Sequence, residues 1–451
     1  MMPIRFVLLW SDALFFLLIA AVVAGGVLAA RTEHLRLSWR KVGQSRVGMA
    51  AATLLLAFVL VAMLDSLHYR ERLPGARENY AVDVRSALDA LLTGLRTRQE
   101  RTYSAPLATH LFAKEALDSP ADGAGARDFP RLKHGGAHLG VDTAGYVADL
   151  LGKTVQGLGC GLVAWLVLGC VVFLPRRATP HLAWNTVLAT LLALCLVAGP
   201  VVVLAEGYHV IGTDKVGQDV LYLTLKSIRT GLLIGTLTTL IMLPAAVFLG
   251  LLAGYTGGWV DDVIQYLYTT LNSIPGVLLI AAAVLMMQVA IDNHPEWFAT
   301  AAERADARLL ALCAILGITS WTGLCRLLRG EALKLRELEY VQAARALGVS
   351  GARILWRHIL PNVMHIVMIA IVMDFSGLVL AEAVLSYVGI GVDPNTISFG
   401  AMINTARMEL ARDPMVWWSL AAAFIFMFVL VLAANLFADV LRDAFDPRGA
   451  R

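Results

Sequence analysis

Three acidic residues lie within long apolar segments of this sequence, namely Asp12, Asp374 and Glu382. An acid costs about 2.5–3.5 kcal/mol to insert into a membrane, so it serves either a transport path or a contact between helices. Asp374 and Glu382 are eight residues apart, which places them on similar faces of a helix about two turns apart. We name both as candidate residues of a translocation path; the alternative is that they hold neighbouring helices together.

Three such acids, with no Lys or Arg at mid-depth in the same segments, are few for a proton relay. The sequence also lacks a motif for binding nucleotides. Gly152-Lys153-Thr154 could end a phosphate-binding loop, but Val147 stands where that loop needs its first glycine. The sequence contains neither His-Glu-x-x-His nor Gly-x-Ser-x-Gly, and its histidines are not spaced as metal ligands. We therefore expect no catalytic residue, no metal site and no cofactor bound by this chain.

The composition indicates the elements that must position these residues. Of the 451 residues, 58% are hydrophobic and only 16% are charged, whereas soluble domains carry about 25% charged residues. The net charge of +3 gives no reason to expect a nucleic-acid partner. Because only helices satisfy their own backbone in lipid, we predict an all-α polytopic membrane protein. Nine apolar runs are long enough to span: 6–30, 47–64, 155–174, 186–204, 231–254, 268–290, 308–327, 363–388 and 416–438.

Basic residues predict the orientation of these spans. Arginine and lysine concentrate in four segments that fall on one side of the membrane: 31–46, 175–185, 326–361 and the C-terminal tail. Basic loops remain in the cytoplasm, so we expect the N-terminus outside and the C-terminus in the cytoplasm. The predicted divisions are an N-terminal extension of two spans (1–64), an extracytoplasmic insert (65–153), a third span with a basic loop (154–185) and a core (186–451).

Two extracytoplasmic features follow from local patterns. Apolar spacing over residues 80–96 predicts an amphipathic helix and, with it, a mostly helical insert. Before the fifth span, Gly212, Asp214, Gly217 and Asp219 form a glycine-rich turn motif. Its oxygen ligands are too few for an EF-hand, so we interpret it as a tight turn whose Asp214 caps the following helix.

Residues 329–362 form the most informative polar segment. Residues 331–347 favour a helix, Gly348 is a typical helix-terminating glycine, and a second amphipathic stretch leads to Pro361. Ala343 and Ala344 leave one helix face without bulk, which suits the close approach of another protein. A solvated amphipathic helix is the alternative.

This segment resembles the EAA loop of binding-protein-dependent ABC importer permeases, specifically the C-type subunits of dipeptide and oligopeptide transporters. The matching residues run from Tyr340 to Gly348 and from His358 to Asn362. Further hallmarks occur in the family's order: His209–Leu221, Gly254–Asp261, Ile274-Pro275, Leu380–Gly391 and Leu441–Arg448. The resemblance covers about residues 180–451. Gln342 replaces the usual glutamate, and Gln218 stands where arginine is common.

The resemblance implies a core of six spans in a bacterial inner membrane protein. It implies that a helix within 338–350 docks on a separate ATPase subunit, with ATP and Mg²⁺ bound by two such subunits. The residues expected to make this coupling are Tyr340, Gln342, Ala343, Ala344, Arg345, Gly348 and Pro361. A homologous B-type permease and an extracytoplasmic binding protein would complete an importer of short peptides. An ion-coupled secondary transporter remains the alternative. Residues 329–362 are called the coupling loop below.

Overall fold

A computed structural model describes residues 4–72, 80–116, 127–140, 145–178, 181–298, 300–393 and 396–445. Within these ranges the chain is mainly helical, which confirms the all-α polytopic class. The helices are α1 Trp10–Arg31, α2 Glu33–Gln44, α3 Arg46–Asp65, α4 Ala87–Leu91, α5 Thr93–Thr97, α6 Tyr146–Ala178, α7 Trp184–Ala205, α8 Val220–Thr256, α9 Gly258–Ser273, α10 Gly276–Asn293, α11 Ala301–Ser320, α12 Thr322–Arg336, α13 Glu339–Ala346, α14 Gly351–Ile354, α15 Leu360–Tyr387, α16 Phe399–Glu409 and α17 Trp418–Phe445. The strands are β1 Ile4–Val7, β2 His68–Glu71, β3 Arg85–Ser86, β4 Glu115–Ala116 and β5 Arg127–Asp128.

Nine helical segments in the described ranges are long and apolar enough to cross a membrane, as the sequence predicts. They lie in α1, α3, α6, α7, α8, α10, the pair α11–α12, residues 351–387, and α17. Several boundaries differ from the predicted ones, and the predicted sixth span at 268–290 begins only at Gly276. Residues 258–273 instead form α9, an amphipathic helix that follows α8 after a single residue, Gly257.

The chain divides into two compact units. Unit one comprises Met1–Leu8, Gly43–Thr230 and Ile397–Ala433, and unit two comprises Leu9–Val42, Gly231–Thr396 and Ala434–Arg451.

In unit one, a close contact between α6 and α7 depends on glycine. A Cβ atom at Gly157 would lie 2.4 Å from the Pro200 Cα atom, and one at Gly161 would lie 2.3 Å from the Cys195 carbonyl oxygen. The two helices therefore touch backbone to backbone, the arrangement that small residues four apart permit in membranes.

The described residues of the insert in unit one form strands as well as short helices, which corrects the prediction of a mostly helical insert. Strand β2 pairs antiparallel with β1 on one side and with β3 on the other, so β2 is the central strand of a three-stranded sheet. The predicted helix over 80–96 is wrong, because residues 85–86 are extended and helix begins only at Ala87. Ser86 caps α4 there in a reciprocal capping box with Asp89. Pairing with β2 thus overrides the helical pattern upstream of the cap.

In unit two, one apolar core joins α8, α9, α12 and the helices of the coupling loop. Its fully buried members include Leu328, Val341, Ile354 and Ile359. Close packing within this core again requires glycine, because a Cβ atom at Gly254 would lie 2.5 Å from the Arg329 carbonyl oxygen.

Candidate functional site

The coupling loop begins with a helix that ends earlier than predicted. The continuous helix expected over 331–347 is interrupted, because α12 ends at Arg336 and α13 begins at Glu339. Between them Leu338 is extended (φ −72°, ψ 141°). The physical reason is tertiary packing, since the break turns Val341 into the core, where its side chain is only 1% exposed.

The outer face of α13 is open to solvent. Tyr340, Gln342, Ala343 and Arg345 are exposed there. Ala344, which we predict to share a docking face with Ala343, is half-buried and packs against the apolar core. The exposed face of α13 therefore includes Ala343 and continues to Leu347, whose side chain is 84% exposed.

Gly348 ends α13 in the left-handed conformation (φ 77°), as its position in the sequence predicts. Its amide donates to the Arg345 carbonyl (3.0 Å), and the Val349 amide donates to the Ala344 carbonyl (3.1 Å). The turn then leads to α14 and to a π-helical turn over Leu355–Ile359, after which Pro361 occupies the first turn of α15.

Side-chain hydrogen bonds hold the first turn of α13. The Asn362 Nδ2 amide donates to the Tyr340 hydroxyl (2.9 Å), which ties α13 to the start of α15. The Gln342 Nε2 amide donates to the Glu337 carbonyl (3.1 Å). A glutamate at position 342 could not donate this bond, so the departure from the usual residue has a local structural use.

An ion pair that sequence reasoning missed supports the loop from α9. The Arg329 guanidinium donates through Nε (2.5 Å) and Nη2 (2.7 Å) to the two carboxylate oxygens of Asp261. These bonds hold the pKa of Asp261 below its ordinary value. The Arg336 Nη1 also donates to the Tyr255 carbonyl (3.4 Å). The segment after α8, which contains the hallmark Gly254–Asp261, is therefore a one-residue turn at Gly257 followed by a helix bonded to the coupling loop.

We expect Asp261→Asn to destabilise the protein by about 1.5–3 kcal/mol, because it leaves the half-buried Arg329 without its charged acceptor. Thermal unfolding in detergent measures the loss. Asp262→Asn is the matched control, since Asp262 is exposed on the same helix. The exchange Asp261→Arg with Arg329→Asp should recover part of the stability, and equal losses for Asp261→Asn and Asp262→Asn would contradict a role for the pair.

The turn before α8 has the geometry that its residue types predict, with one correction. Gly212 (φ 81°) and Gly217 (φ 75°) are both left-handed. The Asp214 Oδ1 atom accepts from the Val216 and Gln218 amides and so closes its own turn. The residue that caps α8 is Asp219, not Asp214 as predicted, because its Oδ1 atom accepts from the Leu221 amide (2.8 Å).

A buried charged cluster joins this turn to the insert. The His209 Nδ1 atom lies 2.7 Å from the Asp219 Oδ2 atom, and its Nε2 atom lies 3.4 Å from the Glu100 Oε1 atom. The Glu100 carboxylate also accepts hydrogen bonds from three successive backbone amides, at residues 133–135. Burial alone would raise the pKa of Glu100, but these bonds outweigh burial and lower it to about 2. Burial alone would lower the pKa of His209, but its two acidic partners raise it to about 9.

We expect the cluster to lose stability in mildly alkaline solution. Because the folded-state pKa of His209 lies above its ordinary 6.5, its contribution is complete below about pH 6.5 and disappears as the pH rises through 9. The wild-type melting temperature should therefore fall more steeply across this interval than that of His209→Gln. Parallel curves for the two proteins would show that His209 is not protonated in the folded state.

A second polar cluster links the insert to α8. The Lys226 ammonium lies 2.8 Å from the Asp89 Oδ1 atom, and the Tyr222 hydroxyl donates to the same oxygen (2.7 Å). Burial opposes ionisation of Asp89, but the Lys226 charge lowers the pKa of this carboxyl to about 2. The partners Asp89 and Lys226 are 137 residues apart in the sequence, and Glu100 and His209 are 109 residues apart, so no local motif joins either pair.

The candidate path residues differ in their surroundings. Glu382 is buried, and its Oε1 atom accepts from the Ser386 hydroxyl (2.8 Å). Asp374 is half-buried and adjoins the exposed Met373 on α15. Side chains eight residues apart on an α-helix point in directions that differ by about 80° around its axis, which is enough to give the two acids different surroundings. Asp12 is fully buried in α1 beside Ser11, whose backbone amide donates to Asp306 of α11 (3.2 Å).

Within the described ranges, no three His, Cys, Asp or Glu side chains are close enough together to hold a metal ion. The predicted tail hallmark Leu441–Arg448 is described only to residue 445, where α17 ends. Arg448 and the other terminal residues lie outside the described residues.

Known proteins resemble the second half of the chain. The family model described as "Binding-protein-dependent transport system inner membrane component" matches residues 246–451. The oligopeptide transport system permease protein OppC of Mycobacterium tuberculosis is 34% identical over 239 residues, 53% of this chain and 76% of that protein. The glutathione transport system permease protein GsiD of Pectobacterium atrosepticum is 34% identical over 242 residues, 53% of this chain and 73% of that protein.

The dipeptide transport system permease protein DppC of Lactococcus lactis is 32% identical over 242 residues, 54% of this chain and 64% of that protein. Among solved structures, a chain of the MetNI methionine ABC transporter in inward-facing conformations matches with a TM-score of 0.37 and 15% identity, covering 50% of this chain and 97% of that chain. The sequence resemblance of the coupling loop and its neighbours is confirmed by the family match and the OppC similarity. The chain belongs to the binding-protein-dependent transport system inner membrane components, the membrane-spanning permeases of ABC importers.

Proposed function

We propose that this chain forms half of the translocation path of an ABC importer for short peptides and receives mechanical work through α13. The geometry of α13 is the observation that carries the proposal. Its outer face is exposed through Ala343 and Leu347, whereas Val341 anchors its inner face in the core. A docking element must be open on one side and firmly attached on the other, so that a push is transmitted to the spans and not absorbed locally.

The partners in this proposal are two ATPase subunits, a homologous B-type permease and an extracytoplasmic binding protein. ATP and Mg²⁺ would bind to the ATPase subunits and not to this chain, which has no phosphate-binding loop. Short peptides are the proposed substrates, because the similar OppC and DppC proteins are named for oligopeptide and dipeptide transport. Asp374 is the proposed path residue, and the burial of Glu382 favours a role in holding helices for that acid.

The proposed orientation places the N-terminus and the insert outside. Strand β1 precedes the first span and β2 follows the second, and the two strands pair, so both lie on one side of the membrane. Nine crossings then bring the C-terminus to the opposite side. The basic segments predicted to be cytoplasmic, including the coupling loop, lie on that opposite side.

Cross-linking in the assembled importer tests the docking proposal. Leu347→Cys should cross-link to an ATPase subunit, whereas Val216→Cys, at an exposed position in the turn that precedes α8, should not. Proteoliposomes containing the complete importer should take up labelled short peptides only with ATP. Cross-linking from position 216 alone, or uptake by this chain without an ATPase under an ion gradient, would overturn the proposal.

A further inference from the structure

The three-stranded sheet of unit one carries basic side chains on one face. In the antiparallel register, Arg5 of β1 lies directly opposite Arg70 of β2, and Val7 lies opposite His68. Because side chains alternate between the faces of a strand, Arg5, His68 and Arg70 share one face. Directly opposed side chains have Cβ atoms about 4.5–5.5 Å apart, and like charges at this distance repel each other.

The acidic residues around the sheet are engaged with other groups. Glu71, on the opposite face, pairs with Arg85 (2.5 Å), Asp83 pairs with Arg96 (2.7 Å), and Asp65 accepts from the Ser86 hydroxyl (2.7 Å). Within the described ranges, no carboxylate pairs with Arg5 or Arg70.

The two guanidinium groups also lack neutral acceptors among the described residues. The Arg70 Nε atom is buried and has no hydrogen-bond partner there. Arg5 contacts an aromatic face, with its guanidinium carbon 5.9 Å from the Tyr80 ring centroid. Two guanidinium groups carried by opposed positions on one face of a sheet can together bind phosphate oxygens, which accept several N–H bonds at once.

The sheet stands at the membrane surface. The span α3 ends at Asp65, and β2 begins three residues later at His68. Arg5 and Arg70 are each two residues farther from the adjoining span than Val7 and His68, which is a distance of about 7 Å. Since the headgroup layer is about 5–7 Å thick on each side and arginine side chains reach back towards it, both guanidinium groups lie within reach of lipid phosphates.

Apolar side chains on the same edge strand indicate that the phosphate belongs to a lipid. Phe6, on the opposite face of β1 from Arg5, is 75% exposed, and Leu8, between β1 and the first span, is 70% exposed. Exposed apolar groups of this size next to a span suit acyl chains and not aqueous solvent. We propose that Arg5 and Arg70 bind the phosphate of an anionic phospholipid in the leaflet on the side of the insert.

Lipid binding to the purified full chain tests this site. In nanodiscs, replacing part of the phosphatidylcholine with phosphatidylglycerol should raise the melting temperature of the wild type. Native mass spectrometry should detect retained phosphatidylglycerol. The variant Arg5→Gln/Arg70→Gln should bind this lipid on the order of tenfold more weakly and lose most of the thermal gain. Arg101→Gln, at an exposed position of the insert, should behave as the wild type.

Two further measurements distinguish loss of the lipid site from failure of the variant to fold, and a lipid from free phosphate. Arg5→Gln alone leaves the buried part of the sheet intact, so it should weaken lipid binding even if the double variant does not fold. Inorganic phosphate added to phosphatidylcholine nanodiscs should give no comparable gain. Undiminished phosphatidylglycerol binding by Arg5→Gln, or equal protection by inorganic phosphate, would overturn the assignment to a lipid.

Discussion

Gly348→Leu should reduce peptide uptake to background while the protein still inserts into the membrane. Gly348 adopts a left-handed conformation (φ 77°), which costs a residue with a Cβ atom about 1–2 kcal/mol. Among the described residues other than its two chain neighbours, a Cβ atom here would meet no atom within 4 Å, so the added side chain would project outward beside Leu347. The substitution therefore both disturbs the end of α13 and places bulk where the ATPase subunit is proposed to dock. ATP-dependent uptake in proteoliposomes measures the effect, and we expect at least about a tenfold loss.

Gly330→Ala is the matched control for the loss of a glycine near this site. Gly330 lies within α12 in an ordinary helical conformation, and a methyl group added there would meet no atom within 4 Å among the described residues outside the adjacent turns of its own helix. Alanine is favoured over glycine in a helix, so this variant should transport normally. Gly348→Asn should be intermediate, since asparagine tolerates the left-handed region better than leucine. Normal uptake by Gly348→Leu would remove the docking argument.

Gly161→Leu should abolish the folded protein in detergent extracts. A Cβ atom at Gly161 would lie 2.3 Å from the Cys195 carbonyl oxygen, so no rotation of a side chain relieves the contact and α6 must move away from α7. Overpacking costs about 1–3 kcal/mol where side chains can adjust, and a clash between two backbones lies at the upper end or beyond. The yield of monodisperse protein and its melting temperature measure the loss.

Gly159→Leu provides a control two residues away on the same helix. Gly159 is exposed, and a Cβ atom there would meet nothing within 4 Å in the part of the structure that is described, apart from the adjacent turns of α6 itself. Its added side chain should face lipid and leave both yield and melting temperature close to those of the wild type. If Gly159→Leu and Gly161→Leu were equally harmful, the cause would be the loss of glycine itself and not the contact between α6 and α7.

Features that depend on local pattern could be predicted from this sequence. Long apolar runs indicated the spans, because a membrane selects segments by length and hydrophobicity. Gly348 identified the end of α13, because few other residues adopt the required backbone conformation. The break at Leu338 could not be predicted in this way, because the helical preference of residues 331–347 is continuous and the break depends on burying Val341.

Contacts between residues that are distant in the sequence could not be predicted from local pattern. Glu100 and His209 are 109 residues apart, and Asp261 and Arg329 are 68 residues apart. His209 and Asp261 belong to family hallmarks, but nothing in the local sequence pairs them with Glu100 and Arg329. The strands of the insert were missed for the same reason, because β2 is defined by its pairing with residues 4–7, and two membrane spans separate the two strands.

The pairing of β1 with β2 sets an order of events during synthesis. Ile4 pairs with Glu71, so 67 further residues must be made before the partner of Ile4 exists. At about 5–20 residues per second, the N-terminal strand waits about 3–13 seconds with its backbone groups unpaired. A charged residue on an edge strand discourages pairing with foreign strands, and Arg5 occupies that position during the wait. The rate at which the residues between the two strands are translated therefore determines when this sheet can form on the nascent chain.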